Sequence, residues 1–160
     1  MGPKSCYLDA DVPAENLIWQ NTLPKVDYTL NKADIADLKQ ILLNTGLSKD
    51  ELINTSWDSA RTYRGSEYRG GANGAKIRLE PQRCWVANEL EKLNKVLAKL
   101  EEIQAGLAKT VFIADLIGLG GTAAVEKAAQ ESGYNIRLPC VAGRGDALFR
   151  NKPISSLSNT

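Results

Sequence analysis

Between Asn88 and Gly106 the apolar residues Leu90, Leu93, Val96, Leu97, Leu100 and Ile103 recur at spacings of three and four. A helix turns once every 3.6 residues, so this spacing lines all six along one side of a single helix, whereas a strand would require alternation. Asn88 with Glu91 reads as the helix start and Gly106 as its stop. A narrow stripe of large aliphatic side chains needs other elements to cover it. The fold must therefore supply neighbours with matching faces.

The rest of the sequence supplies helices. Asn31 with Asp34 reads as an N-cap with an acid in the first turn, Ile35, Leu38, Ile41 and Leu42 share a face, and Gly46 ends the segment. Ser48 with Glu51 is a capping box, opening a second helix that carries Leu52, Ile53, Trp57 and Ala60 and ends near Arg64. Residues 110–132 read as one broken helix or two short ones, interrupted at Gly118-Leu119-Gly120-Gly121 and closed by Gly133. Residues 136–141 form a short extended piece bounded by Pro139 and Gly143. The glycine-rich run from Arg64 to Gly74 is a loop. The expected fold is mainly α, with four or five helices and no strand pairing. Residues 1–30, with Pro3, Pro13 and Pro24, form an irregular leading segment. Residues 31–147 form the helical body, and residues 148–160 a polar tail.

Composition narrows the chemistry. The 160 residues include no histidine. That removes an imidazole general base, a Ser/His/Asp or Cys/His nucleophile system, and His-ligated zinc or haem iron. Cys6, Cys84 and Cys140 are odd in number and far apart, which indicates neither a zinc site nor a disulfide framework. Reduced thiols in the cytoplasm or another reducing compartment are the expectation. Lys and Arg (20) nearly cancel Asp and Glu (19), which argues against a general nucleic-acid or acidic-membrane binder. The first residues have no apolar core of a signal peptide, and no run is long enough to span a membrane.

Four local patterns invite a function. Gly118-Leu119-Gly120-Gly121 resembles a dinucleotide loop but lacks the preceding strand, so close helix packing or a helix break is the expected role. Arg144-Gly145-Asp146 matches an adhesion tripeptide and reads as a local turn. Arg61, Arg64, Arg69, Arg78 and Arg83, with Tyr63 and Tyr68, make a basic glycine-rich stretch over residues 61–83. It could hold phosphates or nucleic acid, though a loop with internal hydrogen bonds is the more ordinary outcome. On the second helix, Trp57 falls in register with Ile53 and Ala60 as a packing residue, and Asp58 reads as a solvated or capping carboxylate.

Several of these motifs occur together in a known order. The run from Leu52 through Trp57-Asp58-Ser59-Ala60-Arg61-Thr62-Tyr63-Arg64-Gly65 to Cys84-Trp85 resembles the C-terminal domain of the catalase-peroxidases. Val12-Pro13-Ala14-Glu15-Asn16-Leu17-Ile18-Trp19 resembles the passage joining their two domains. Ala114-Asp115-Leu116-Ile117 and Ala124-Val125-Glu126-Lys127 resemble the helices that follow, and Val141-Ala142-Gly143-Arg144-Gly145-Asp146 the next loop, with Ala142 where the family usually has proline. The resemblance covers about residues 1–147 and does not extend to residues 148–160.

This resemblance implies an incomplete haem-peroxidase-like domain. In the family, the N-terminal domain binds haem b and breaks down hydrogen peroxide, using Arg, Trp and His in the pattern R-x-x-W-H. The matching positions here are Asn54, Trp57 and Asp58, so only the tryptophan is kept. Asn54 brings no guanidinium, and Asp58 lacks the poised pKa of imidazole. The resemblance therefore implies no catalytic, cofactor-binding or metal site in this chain, and a structural role beside an N-terminal catalytic domain. The alternatives are a peroxidase active only within a longer chain or with an N-terminal partner, and a phosphate or nucleic-acid module at residues 61–83. An unfilled partner face along the Leu90–Ile103 stripe is also expected, and with it self-association.

Overall fold

Four α-helices organise the chain in a computed structural model that describes residues 23–66 and 70–147. They are α1 (Lys32–Leu43), α2 (Lys49–Ala60), α3 (Leu90–Gly106) and α4 (Ile113–Glu131). Three single 3-10 turns, Lys76–Arg78, Gln82–Cys84 and Val86–Asn88, lead from the glycine-rich loop into α3. Among the described residues there is no strand, and Gly74 and Asp146 form an isolated parallel bridge. The expected mainly helical fold is observed. The sequence features assigned to residues 1–22, to Tyr68 and Arg69, and to the tail lie outside the described residues.

The first two helices start where their caps place them. Asn31 Oδ1 accepts from Asp34 N–H while Asp34 accepts from Asn31 N–H, and Ser48 and Glu51 make the same reciprocal pair. Each box satisfies two backbone donors that a helix start leaves open. α2 stops at Ala60, before the expected Arg64. The start of α3 differs from expectation. Its first residue is Leu90, preceded by Glu89 at φ 46°, and no side chain caps it. Asn88 is turned away, its Nδ2 donating to the Gln82 carbonyl and its Oδ1 accepting from Arg61.

α4 is the axis of the fold. It packs on α2, α1 and, less extensively, α3. Residues 110–132 do not break at the glycines, because one continuous helix runs from Ile113 to Glu131. Gly120 and Gly121 instead face α2. A Cβ on Gly121 would lie 2.4 Å from Ser56 Cβ, and one on Gly120 would lie 3.2 Å from Leu52 Cδ2. Lost helix propensity at these glycines, about 1 kcal/mol each, is the cost of bringing two helix backbones close together.

That contact sets which face of α2 is buried. Leu52, Thr55 and Ser59 face inward, while Trp57 is 68% exposed. The expected packing register Ile53–Trp57–Ala60 is therefore corrected by one helix face. A surface of glycines accepts small side chains and close backbone approach, and an indole cannot enter it. Trp57→Ala is expected to change unfolding stability by no more than ~0.5 kcal/mol, and Leu52→Ala to cost about 2–5 kcal/mol. Urea unfolding of the two variants side by side checks the register.

The α3 stripe is also covered. Leu93, Val96, Leu97 and Leu100 are buried in one core with Leu38, Leu42, Val111, Ile113 and Leu116, and Ile103 packs against it. Leu90 alone of the six is exposed. The expectation of an open stripe is thus overturned. The other large apolar side chains that remain outside lie elsewhere, among them Trp57, Tyr63, Trp85 and Val86.

Candidate functional site

Two places concentrate polar chemistry. The first is at the start of α4, where three distant segments meet on two buried carboxylates. Asp115, 1% exposed, sits in the first turn of α4, where the helix dipole favours an acid. Its Oδ2 accepts from the Tyr28 hydroxyl at 2.9 Å and from Gly143 N–H at 2.8 Å. Its Oδ1 accepts from the backbone and the Nη1 of Arg144, both at 3.2 Å. Tyr28 in turn accepts from Phe112 N–H at 3.0 Å. Burial first, with the neighbouring carboxylates adding to it, pushes the Tyr28 hydroxyl well above the usual tyrosine range, so it remains a donor.

Asp146 completes this arrangement. Its two oxygens accept from Ile113 N–H and Ala114 N–H, each at 2.8 Å. α4 has no capping side chain in its own lead-in, so Asp146 caps it from 33 residues away. Around it, Gly74 N–H donates to the Gly145 carbonyl, Ala147 N–H to the Gly74 carbonyl, and Gly145 N–H to Asn73 Oδ1. Arg144-Gly145-Asp146 is therefore an internal clasp, with Asp146 buried. Sequence reasoning missed Tyr28, Asp115, Arg144 and Asp146 as a set. One signal was present: Asp115 is the single charge in the apolar run Val111–Ile117, and a buried acid implies waiting donors.

The second place is a groove of about 710 Å³ beside α2. Asn54 and Asp58 both line it, together with Thr55, Asn88, Glu89 and Lys92. Trp57 is absent from its walls. The structure thus brings together two of the three positions singled out from the sequence and points the third elsewhere. Asp58 is not the solvated carboxylate expected. Its side chain is 14% exposed and pairs with Arg61 Nε at 3.2 Å. Burial pushes its carboxyl above the usual value, with the nearby Arg61 opposing and Glu89 adding to the rise.

A raised folded-state pKa means that the folded chain binds the proton more tightly than the unfolded chain. Stability therefore falls as pH rises from the unfolded value through the folded one. Asp58→Asn is expected to raise stability at neutral pH, with the gain disappearing below the carboxylate range. Thermal unfolding of both proteins across pH checks the sign.

The basic stretch is turned inward. Arg61 donates to Asn88 Oδ1 at 2.9 Å, Arg83 donates twice to Asn94 Oδ1, and Arg78 donates to the Ala147 carbonyl at 3.2 Å. Three of the five arginines thus hold the loop and 3-10 turns to the helices, as the internal hydrogen-bonding reading expects. Gly118, Gly120 and Gly121 lie inside α4, so the phosphate-loop pattern has no helix N-terminus to act through. Among the described residues no group of histidine, cysteine and carboxylate side chains could hold a metal ion. No helix among them is long and apolar enough to cross a membrane.

Comparison with known proteins decides the lineage. The family model described as peroxidase matches residues 16–159. The chain belongs to the peroxidase family. Within that family it is 60% identical over 156 residues to a catalase-peroxidase 1 of Idiomarina loihiensis, covering 98% of this chain and 22% of the relative. It is 63% identical over 158 residues to a catalase-peroxidase of Shewanella putrefaciens, covering 99% and 22%. It is 58% identical over 147 residues to one from Synechocystis sp., covering 92% and 20%. This peroxidase-family chain thus spans about a fifth of the length of the curated relatives it matches. The family match runs on to residue 159, past residue 147 where the recognisable motifs stop.

Family membership raises the question of haem, and the groove does not suit it. A haem needs an axial ligand and largely apolar walls for a flat macrocycle. The residues around Asn54 and Asp58 include no histidine, cysteine, tyrosine or methionine, and they are mostly charged or polar.

Proposed function

We propose that this chain is the haem-free, non-catalytic portion of a catalase-peroxidase and that it supports a separate catalytic unit structurally. The observation that supports this most directly is the pair Asn54 and Asp58 in one polar groove, where the resemblance expects arginine and histidine. Neither can polarise a bound peroxide or pass its proton as that pair does. The breakdown of hydrogen peroxide, the peroxidase activity and a part in the oxidative stress response belong, on this reading, to the longer protein and to the haem b of its N-terminal domain.

The partner is that catalytic domain or a second copy of the chain. Trp57 and Val86, exposed at 68% and 96%, are the kind of large apolar side chains such a contact would cover. A reducing compartment suits the free thiols of Cys84 and Cys140. Titration of the purified chain with hemin is expected to give no stoichiometric complex, no single sharp Soret species and no peroxide consumption above free hemin. A defined low- or high-spin complex that turns over peroxide would overturn the reading.

A further inference from the structure

Residues 23–30 lie on the helical body without joining its hydrogen-bonded framework. Pro24, Val26, Tyr28 and Leu30 are half-buried, while Lys25, Asp27 and Thr29 are exposed. That alternation is the period of an extended chain laid down on one face. Among the described residues no backbone N–H or C=O of this segment makes a hydrogen bond. Side-chain contact holds it instead. Tyr28 and Leu30 pack on the core, and the rings of Tyr28 and Phe112 have centroids 5.7 Å apart. Further back, the segment crosses Gly145, where a Cβ would lie 2.8 Å from the Pro24 carbonyl oxygen and 3.8 Å from Val26 Cγ2. Glycine there is what lets the two backbones approach. The directional bonds of the segment converge on the Tyr28 hydroxyl, which donates to Asp115 Oδ2 and accepts from Phe112 N–H.

A segment with exposed, unpaired backbone opens at a lower free energy than the helices beneath it. Here its fastening is shared. The Asp115 oxygen that takes the Tyr28 proton also accepts from Gly143 N–H, and the other oxygen accepts from Arg144. Lifting the segment uncovers a carboxylate that is otherwise buried, and water then competes for the bonds that hold the loop of residues 143–147. We propose that residues 23–30 are a strap that docks and releases as a unit, with Tyr28 as its latch, and that its docking is coupled through Asp115 to the loop of residues 143–147. The coupling is reciprocal, so loosening the loop loosens the strap. On the reading proposed above, the catalytic unit precedes this strap, and its placement then reaches the loop through Asp115. That consequence rests on the reading, whereas the docking is a property of this chain alone.

The test is limited trypsin digestion of the full chain, followed by mass spectrometry. Cleavage after the exposed Lys25 requires the strap to leave the body, so its rate follows the released population. Cleavage after Lys99, inside α3, reports opening of the body. Tyr28→Phe keeps the ring and removes both hydroxyl bonds, and it is expected to speed cleavage after Lys25 roughly tenfold or more, with Lys99 unchanged. Gly145→Ala is expected to do the same by displacing the Pro24 carbonyl. Arg144→Ala, which touches the strap only through Asp115, is expected to speed cleavage after Lys25 severalfold. In Tyr28→Phe, hydrogen exchange at Gly143 is expected to quicken while that of Leu119 in α4 does not. Unchanged cleavage after Lys25 in Tyr28→Phe and Gly145→Ala would overturn the strap, as would a rise matched at Lys99. Unchanged cleavage in Arg144→Ala together with unchanged exchange at Gly143 in Tyr28→Phe would overturn the coupling. None of these readouts involves haem, so the outcome is separate from that of the hemin titration.

Discussion

Replacing Asp146 with alanine is expected to cost the fold roughly 3 kcal/mol, because two buried N–H groups at the start of α4 lose their only acceptors. Each unsatisfied buried donor costs about 1–3 kcal/mol, and bonds to a charged acceptor are at the strong end. The helix cannot recover by itself, since Phe112 provides no capping side chain. Asp146→Asn keeps one good acceptor and is expected to cost about half as much. The damage should spread to the residues that the clasp holds. Amides at Gly74 and Ala147, which pair across the Gly74–Asp146 bridge, are expected to lose exchange protection before those in the middle of α4. Urea unfolding and hydrogen exchange check both points. Wild-type stability in Asp146→Ala would mean that water reaches the start of α4.

Gly121→Ala is expected to destabilise the chain by about 1–3 kcal/mol, although glycine to alanine inside a helix ordinarily gains about 1 kcal/mol. The new methyl would lie 2.4 Å from both Cβ and Oγ of Ser56. Rotating the serine cannot relieve a clash with its own Cβ, so α2 and α4 must move apart. Gly118→Ala provides the control. The nearest group there is the end of the Arg144 side chain at 3.6 Å, and the same substitution is expected to be neutral or stabilising. Melting temperatures of the two variants decide the matter. A gain at Gly121 equal to that at Gly118 would show that the α2–α4 contact is not close.

The parts of this fold legible in the sequence are those set within one turn of chain. The boxes Asn31/Asp34 and Ser48/Glu51 place the starts of α1 and α2 correctly, because the groups that satisfy each other are three residues apart. The spacing Leu93–Val96–Leu97–Leu100 reports the buried side of α3 because helix geometry alone puts those residues together. The same local logic fails at Asn88. Its bonds to Arg61 and Gln82 belong to the 3-10 turns, and α3 starts without it.

The candidate site was half legible. The motif resemblance singled out Asn54 and Asp58 and the structure puts both on one groove, but it says nothing of Thr55 or of the acids around them. The size of Trp57 and its register with Ile53 point to the core. That assignment treats hydrophobicity as a property of one helix, whereas burial depends on the surface the neighbouring helix offers.

Sequence by itself determined the helical class, two helix starts, the core side of α3 and, through the absence of histidine, the chemistry closed to the chain. Only the tertiary structure decided that Gly118–Gly121 continue a helix, that α2 turns Thr55 and Ser59 inward and Trp57 out, and that Tyr28, Asp115, Arg144 and Asp146 form one clasp. The physical reason is the range of the interactions. Caps and periodicity act over three or four residues. The clasp joins groups up to 87 positions apart, and the close contact of α2 with α4 depends on the shape of both surfaces at once.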